Sequence, residues 1–501
     1  MQVFKTISDL RATPGAAPDY YAKLLGYSVS GDGGGGDFYW DINDLSSPDN
    51  GGTIFIVPGA TGRWKRLYTG AANVRWFGAK CDIVYTDDTQ AIQNAVNACN
   101  DVIIDGISLI TNTILLRSSN SGTSFTGVSK GTSGLRAAKP ANAPAGYVLP
   151  QFDMLQVPAA TAVSANISVS NIQLIFYGND NFGDKAAIRI LPGKTTSWMR
   201  LDNIDIIGSP SQTRQGTGLL IETVYSESTK GTQYYLDFAN FTNFTLYYLN
   251  AGVVLNNIID YPPDQIPAAS KYNTNFINGN LFNTFVINDT ITPVRIHTDA
   301  SLDVQMTGLS NVDNNYFKNF IIEHREDIYH VSTGVRIEGG TNNVFDMAHF
   351  DVGIAGNQYK FSDETRGNFI TNTANSMRIL PFPGVPAVSN LGKNTLADNS
   401  RTKANGSFNG TNTVTIKDTY NVQSIVRMSK GRYLVTFALP MEDINYKVFV
   451  SSDTLYINRA YNCCFVGISR TVNSFEIAGW VITPDGAVDY EDANEINFMV
   501  L

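Results

Sequence analysis

Cysteine and histidine are both scarce in this chain, with four of each in 501 residues. The cysteines are Cys81, Cys99 and the adjacent Cys463 and Cys464, a spacing that holds no CxxC pair and no zinc-type Cys/His set. Reduced thiols are expected, with no metal and no other cofactor. Charge is thin as well: 16% of residues are charged and the net charge is -9, so no basic stripe exists to follow a phosphate backbone. Nucleic acid is therefore not expected as a partner, whereas neutral sugars remain open. Long apolar runs are missing too, and Lys5, Asp9 and Arg11 interrupt the opening residues. Neither a secretory signal nor a membrane span is expected. DNNYFKN and SPDNGG carry oxygen ligands without the spacing of a calcium loop.

What the chain does contain is glycine, 43 of them, with abundant Asn, Thr and Ser, a composition that favours short strands and turns over helices. Its length suggests two or three structural units. Residues 1–73 are dense in turn signals, GDGGGGDFYWD and SSPDNGG, followed by the short apolar run TIFIVPG, and predict a compact small-strand module. No strand and helix flank the four glycines, so they read as a turn and not a phosphate loop.

One helix stands out, over 88–99. Ile92, Ala95, Val96 and Cys99 recur at helical spacing, and Asp87 and Asp88 lie where a helix start favours negative charge. Asp87 and Gln90 stand at capping-box spacing. The β-branched run NDVIIDGISLITNTILLRS follows at once, so strand succeeds helix with no second helix.

Further along, three segments align without gaps: Asn280-LFNTFVIN, Asn315-YFKNFIIE and Asn343-VFDMAHFD. A second series, TGLLIE from Thr217, AGVVLN from Ala251, TPVRIH from Thr292 and TGVRIE from Thr333, interleaves with the first. Spacings run from 28 residues (Asn315 to Asn343) to 41 (Thr292 to Thr333), natural for coils of a β-solenoid with loops of unequal length. Stacked coils put aligned positions in ladders, which predicts an interior column of Phe282, Phe317 and Phe345. Asn280, Asn315, Asn343 and Asn368 are expected at turns, tolerating left-handed backbone and hydrogen-bonding along the stack. An open solenoid end needs a cover, and the helix at 88–99 is placed to supply it.

Residues 131–160, rich in Ala and Pro, read as a long loop, and a soft segment around 380–410 marks a boundary. Beyond it GRYLVTFALPM, INYKVFVSS and NSFEIAGW alternate as antiparallel strands do. The expected class is mostly β: an N-terminal module (1–73), a parallel β-helix (74–390) and a C-terminal β-sandwich (400–501).

WFGAK, then TDDTQAIQNAV, then a strand ending in Asp-Gly resembles the start of the pectate-lyase-like right-handed β-helix of bacteriophage tailspikes and tail fibres. The upstream GDGGGGDFYWD, DNGGTIFIV and WKRLY are similar to the module that precedes such helices, and GRYLVTF with PMEDINYKVFV resembles their C-terminal modules. The family has glycines after the lysine of WFGAK where this chain has Cys81, Ile83 and Val84. The resemblance implies a homotrimer on a phage tail, assembled in the host cytoplasm. It also implies attachment to other tail or baseplate proteins through the N-terminal region and contact with a bacterial surface polysaccharide through the β-helix. Many relatives cleave that glycan and others only bind it.

Hydrolysis needs two carboxylates, about 5 Å apart for retention or about 6.5 to 9.5 Å for inversion. Glu323 and Asp351 share one position of the gapless alignment and would repel across neighbouring coils, leaving an acid beside a base. Glu338, at the end of TGVRIE, is a third candidate without an evident partner. A lyase would instead use a base such as those of HREDIYH, which carries His324, Arg325, Tyr329 and His330. With Arg336 and Tyr359, these are also the expected substrate-binding residues, although solvated turns account for each singly. A non-cutting adhesin, a depolymerase and, more distantly, a cellular pectinase stay open.

Overall fold

The computed structural model describes residues 1–16, 20–117, 122–159, 163–176, 182–210, 214–226, 234–260, 275–299, 311–323, 333–340, 343–350, 357–361, 366–372, 388–389, 393–398, 403–441, 443–452, 461–482 and 488–500. They fall into two compact units, residues 1–396 and 397–501.

The first unit opens with a small sheet of Gln2–Phe4, Tyr20–Leu24, Gly36–Asp41, Arg63–Leu67 and Ile54–Phe55. Its core is aromatic, with Trp40 and Trp64 edge-on at 5.2 Å between ring centres and both shut off from water. The glycine-rich turn closes on a carboxylate: Asp32 accepts from the backbone N–H groups of Tyr27, Ser28, Val29 and Gly34. An anion already fills that turn, so it is structural, as the flanking sequence implied. Arg66 threads from this sheet toward the next element, its guanidinium 4.6 Å from the ring centres of both Phe38 and Trp76. It donates to the carbonyls of Gly34, Gly35 and Gly52, and burial pulls its pKa down to about 10.

Thr89–Ala98 is the expected helix, and its buried Ile92, Ala95 and Val96 belong to the same apolar core as the coils that follow. It covers the solenoid end. Its cap differs from the expected box: Asp88 is the N-cap residue but makes no side-chain cap. Its carboxylate turns back to accept from the N–H groups of Lys80 and Cys81 at 2.7 and 2.8 Å. Asp87 instead accepts from Thr89 and Thr111, and Gln90 donates to Asn94.

The coils form a parallel β-helix of three sheets. One full coil runs Tyr235–Asp237 in the third sheet, Asn240–Tyr247 in the first and Leu249–Asp260 in the second; the next starts at Phe276–Asn278. Every pairing between described coils is parallel, for example Phe241 with Phe282 and Val253 with Val294. Inward side chains stack as predicted. Phe241, Phe282, Phe317 and Phe345 form a column with ring centres 4.7, 4.7 and 4.9 Å apart, and Phe244, Phe285 and Phe320 form a second. The gapless alignment slips once, where Phe320 pairs with Met347, and recovers at Ile321 with His349. The stretch read as a long loop at 131–160 holds two strands, Gly134–Ala137 and Leu155–Val157, whose Leu135, Ala137 and Leu155 are buried; its Ala and Pro content masked them. Lys393–Asp398 still adds to the first sheet.

The second unit is antiparallel, with Thr415–Tyr420, Ala404–Asn409, Ile496–Val500 and Val448–Ser452 in one sheet. Val422–Ser429, Arg432–Phe437, Ser474–Ile482, Tyr461–Val466 and Val488–Tyr490 make the other. Phe408, Tyr433, Phe437, Phe475 and Phe498 fill its core, giving the sandwich read from the alternating pattern. All four cysteines are free thiols, and burial pushes Cys81 and Cys463 up to about 11. At that value the thiols stay protonated and unreactive.

Candidate functional site

Because alternate residues of a strand face opposite ways, each inward ladder is flanked by an outward one, and the outward ladders are where chemistry meets solvent. On the second sheet one outward ladder runs Arg189, Leu220, Val254, Arg295, Arg336 and the next runs Glu222, Asn256, His297, Glu338. Glu338, expected to lack a partner, accepts from Arg295 Nε at 2.6 Å and pairs with Arg336, while His297 Nδ1 stands 3.9 Å away. Burial alone would raise its pKa, but the Arg295 hydrogen bond and the charges of Arg295 and Arg336 outweigh that and hold it below the usual range. Ionised in this way, Glu338 suits a structural ion pair better than a proton donor. Glu222 is bound to Arg189 and Asn256, three ladder steps or about 14 Å from Glu338, too far to share one glycosidic bond.

On the first sheet Glu323 ends the strand Tyr316–Glu323 and is exposed, in register with Asn288 and Tyr247. The pairing reaches Ile322 with Phe350, one step short of Asp351. Asp351 itself lies outside the described residues, as do His324, Arg325, Tyr329 and His330. Tyr359 is placed by its backbone alone, in register with Val335.

The third sheet carries a constellation that sequence reasoning missed. Leu236, Ile277 and Val312 face inward, and the adjoining ladder is Ser197, Asp237, Asn278, Asp313. Burial raises the pKa of Asp237, opposed by a hydrogen bond from Ser197. Burial also pushes Asp313 up to about 6, and Asn314 Nδ2 donates to its Oδ2 at 2.9 Å. The two carboxylates stand two coil steps apart, about 9.5 Å. Tyr235 and Phe276 stack beside them at 4.9 Å.

Immediately past this ladder the chain turns a corner into the first sheet through left-handed backbone. Trp198 and Phe238 occupy it at φ of 60° and 52°, and their rings stack at 5.3 Å while facing solvent. Bulky residues in this region of φ cost roughly 1 to 2 kcal/mol each, and strain of this kind collects at functional sites. Residue type alone could not have found them, because the positions become equivalent only once the coils are in register.

In the C-terminal unit a shallow groove is lined by Arg432, Cys464, Trp480 and Tyr490. Among the described residues no three His, Cys, Asp or Glu side chains are grouped to hold a metal ion, and no helix is long and apolar enough to cross a membrane.

Residues 3–69 match the family of the phage tail protein small four-stranded β-sheet domain. The chain is 31% identical over 102 residues to the Mu-like prophage FluMu defective tail fibre protein of Haemophilus influenzae, a match covering 20% of this chain and 16% of that one. The chain thus spans about a sixth of that relative's length. Among solved structures it aligns with the full-length tailspike protein 2 of the Escherichia coli O157:H7 bacteriophage CAB120 (13% identity, 100% of this chain and 71% of that one, TM-score 0.42). It also aligns with a glycan biofilm modifying enzyme of Pantoea stewartii with a tailspike-like parallel β-helix (12%, 100% and 69%, TM-score 0.41). Residues 3–69 are thus similar to a phage-tail domain, in keeping with the likeness read from GDGGGGDFYWD, DNGGTIFIV and WKRLY.

Proposed function

We propose that this protein is a phage-tail receptor-binding spike or fibre that recognises a bacterial surface polysaccharide during host adsorption. In this reading the N-terminal module attaches to other tail or baseplate proteins, three copies of the chain assemble into one spike, and the β-helix presents its outward ladders to the glycan. Assembly takes place in the host cytoplasm, and the finished protein resides in the virion. The observation that carries the reading is the joining, in one chain, of a module similar to a phage-tail domain to a β-helix whose corner displays strained, solvent-facing, stacked aromatics beside a polar ladder. Sugar rings have one apolar face and a rim of hydroxyls, which is what such a surface complements.

A second reading, cleavage of the glycan, is favoured by Asp313, a half-buried carboxyl with its pKa near 6 that would hold a proton close to neutral pH as a general acid does. Glu323 with Asp351 remains the alternative pair. Incubating the purified protein with polysaccharide from susceptible host cells, then separating the products by size, tests both readings. Retention of the polysaccharide without shortening supports adhesion, released oligosaccharides support cleavage, and no interaction with any host polysaccharide removes both.

A further inference from the structure

The left-handed corner between the third and first sheets recurs once per coil, and its successive occupants are Asn166, Trp198, Phe238, Gly279 and Asn314, at φ of 58°, 60°, 52°, 64° and 53°. Asn and Gly are the residues such backbone selects, because a larger side chain crowds its own carbonyl. Two consecutive coils nevertheless hold the bulkiest aromatics. Trp198 is 63% and Phe238 53% exposed, so burial does not compensate the strain.

The stack has one covered side and one open side. Trp198 lies against Phe238 with ring planes 26° apart, and the opposite face of Phe238 looks over Gly279 on the next coil. A Cβ built at Gly279 would meet, among the described residues, only the Phe238 ring, at 3.7 Å. Between Phe238 and Asn314, two coil steps or about 9.5 Å apart, one side-chain place is therefore left open by the described residues. A six-membered ring laid on Phe238 needs one step, as Trp198 does on the other face.

We propose that this gap is a subsite for a single pyranose ring of a neutral or amino-sugar-containing glycan, stacked on Phe238 and backed by Trp198. The inference rests on the polysaccharide reading above and narrows it. Beside the gap run Asp237, Asn278 and Asp313, which offer acceptors and one amide donor to ring hydroxyls. Two carboxyl groups there disfavour a uronate and accept a neutral or cationic sugar. Arg200, on the neighbouring outward ladder, is in register with Leu281 two coils away, so it does not reverse that preference at the gap.

The test uses the full chain and a panel of purified bacterial surface polysaccharides, one group neutral or N-acetylhexosamine-containing and the other rich in uronates, with binding followed by titration calorimetry. Two variants are compared: Phe238→Asn, which places at the corner the residue its own coils use there, and Gly279→Phe, which fills the gap. The wild type binds a member of the first group, and each variant binds it about tenfold or more weakly, the scale of one lost aromatic stack. Phe238→Asn keeps or raises the thermal midpoint, because strain is relieved. Unchanged binding in both variants would overturn the subsite and leave the polysaccharide reading standing. Binding of uronate polymers alone overturns the subsite and leaves the polysaccharide reading standing, whereas binding of no member overturns the subsite and counts against the reading itself. Loss of binding together with loss of self-association in sedimentation would make the stack a contact between copies, which also overturns the subsite.

Discussion

Asn280 donates from Nδ2 to Oδ1 of Asn315 at 2.9 Å, and Asn315 repeats the bond to Asn343 at 3.0 Å. All three are buried, and each also donates to a carbonyl of the third sheet: Leu236, Ile277 and Val312 respectively. The ladder carries hydrogen bonds along the stack as the repeats imply, but not in left-handed backbone. That conformation falls one residue earlier, on Gly279 and Asn314.

Replacing Asn315 by Ala would take away the acceptor of the Asn280 backbone N–H and side-chain amide, and sever the bonds to the Ile277 carbonyl and to Asn343. The expected loss is about 3 kcal/mol or more, since buried groups left unpaired lose their full solvation. Urea unfolding checks it through the midpoint. An unchanged midpoint would mean that water replaces the ladder without cost.

Cys81 and Ile83 take φ of 52° and 62° where the family has glycines, with Asp88 gathering the N–H groups of Lys80 and Cys81. Ile83→Gly should stabilise the protein by about 1 kcal/mol by removing left-handed strain from a β-branched residue. Asp88→Ala should cost about 2 kcal/mol through two unpaired N–H groups. Differential thermal melts of the two variants should move in opposite directions.

Asp313 is raised by burial from its ordinary 3.8 to about 6, so the folded state holds the proton more tightly than the unfolded chain. Its contribution is fully present below the ordinary value and is lost as pH rises from there to about 6, beyond which it stays lost. Asp313→Asn should flatten that fall and gain on the order of 1 to 2 kcal/mol at neutral pH, allowing for the part of the group that meets water. Stability measured across this pH range decides it, and identical profiles for the two proteins would refute the assignment.

Glu338 shows the opposite sign. Its pKa is depressed by Arg295 and Arg336, so its stabilisation is present above its ordinary 4.5 and is lost as pH falls through the folded value. Glu338→Gln should cost about 1 to 2 kcal/mol at neutral pH, leaving Arg295 and Arg336 facing each other. Any turnover of polysaccharide should persist in this variant. Abolished turnover with an intact melt would return Glu338 to the chemistry.

If the chain cuts glycan with the pair first suggested by the alignment, Glu323→Gln with Asp351→Asn should lower product release at least about a hundredfold, the scale of lost acid and base catalysis. Full activity in the double variant would remove that pair and direct attention to Asp237 and Asp313.

The periodic text of the chain was enough to determine stacked parallel coils, the phenylalanine column of Phe282, Phe317 and Phe345, the capping helix and the C-terminal sandwich. Each depends on local pattern: apolar spacing within a strand, and identical spacing in the next coil. Glu323 was legible as an outward carboxylate for the same reason. Which residues meet across coils was not legible, because unequal loops make sequence distance a poor guide to ladder position. Only the tertiary register set Glu338 between two arginines, put Tyr359 level with Val335, and brought Trp198 and Phe238 together over the bare corner at Gly279. Likewise, only folding supplied the burial that raises Asp313. It ends the strand Asn311–Asp313, and sequence alone does not show how far its carboxyl is taken out of water.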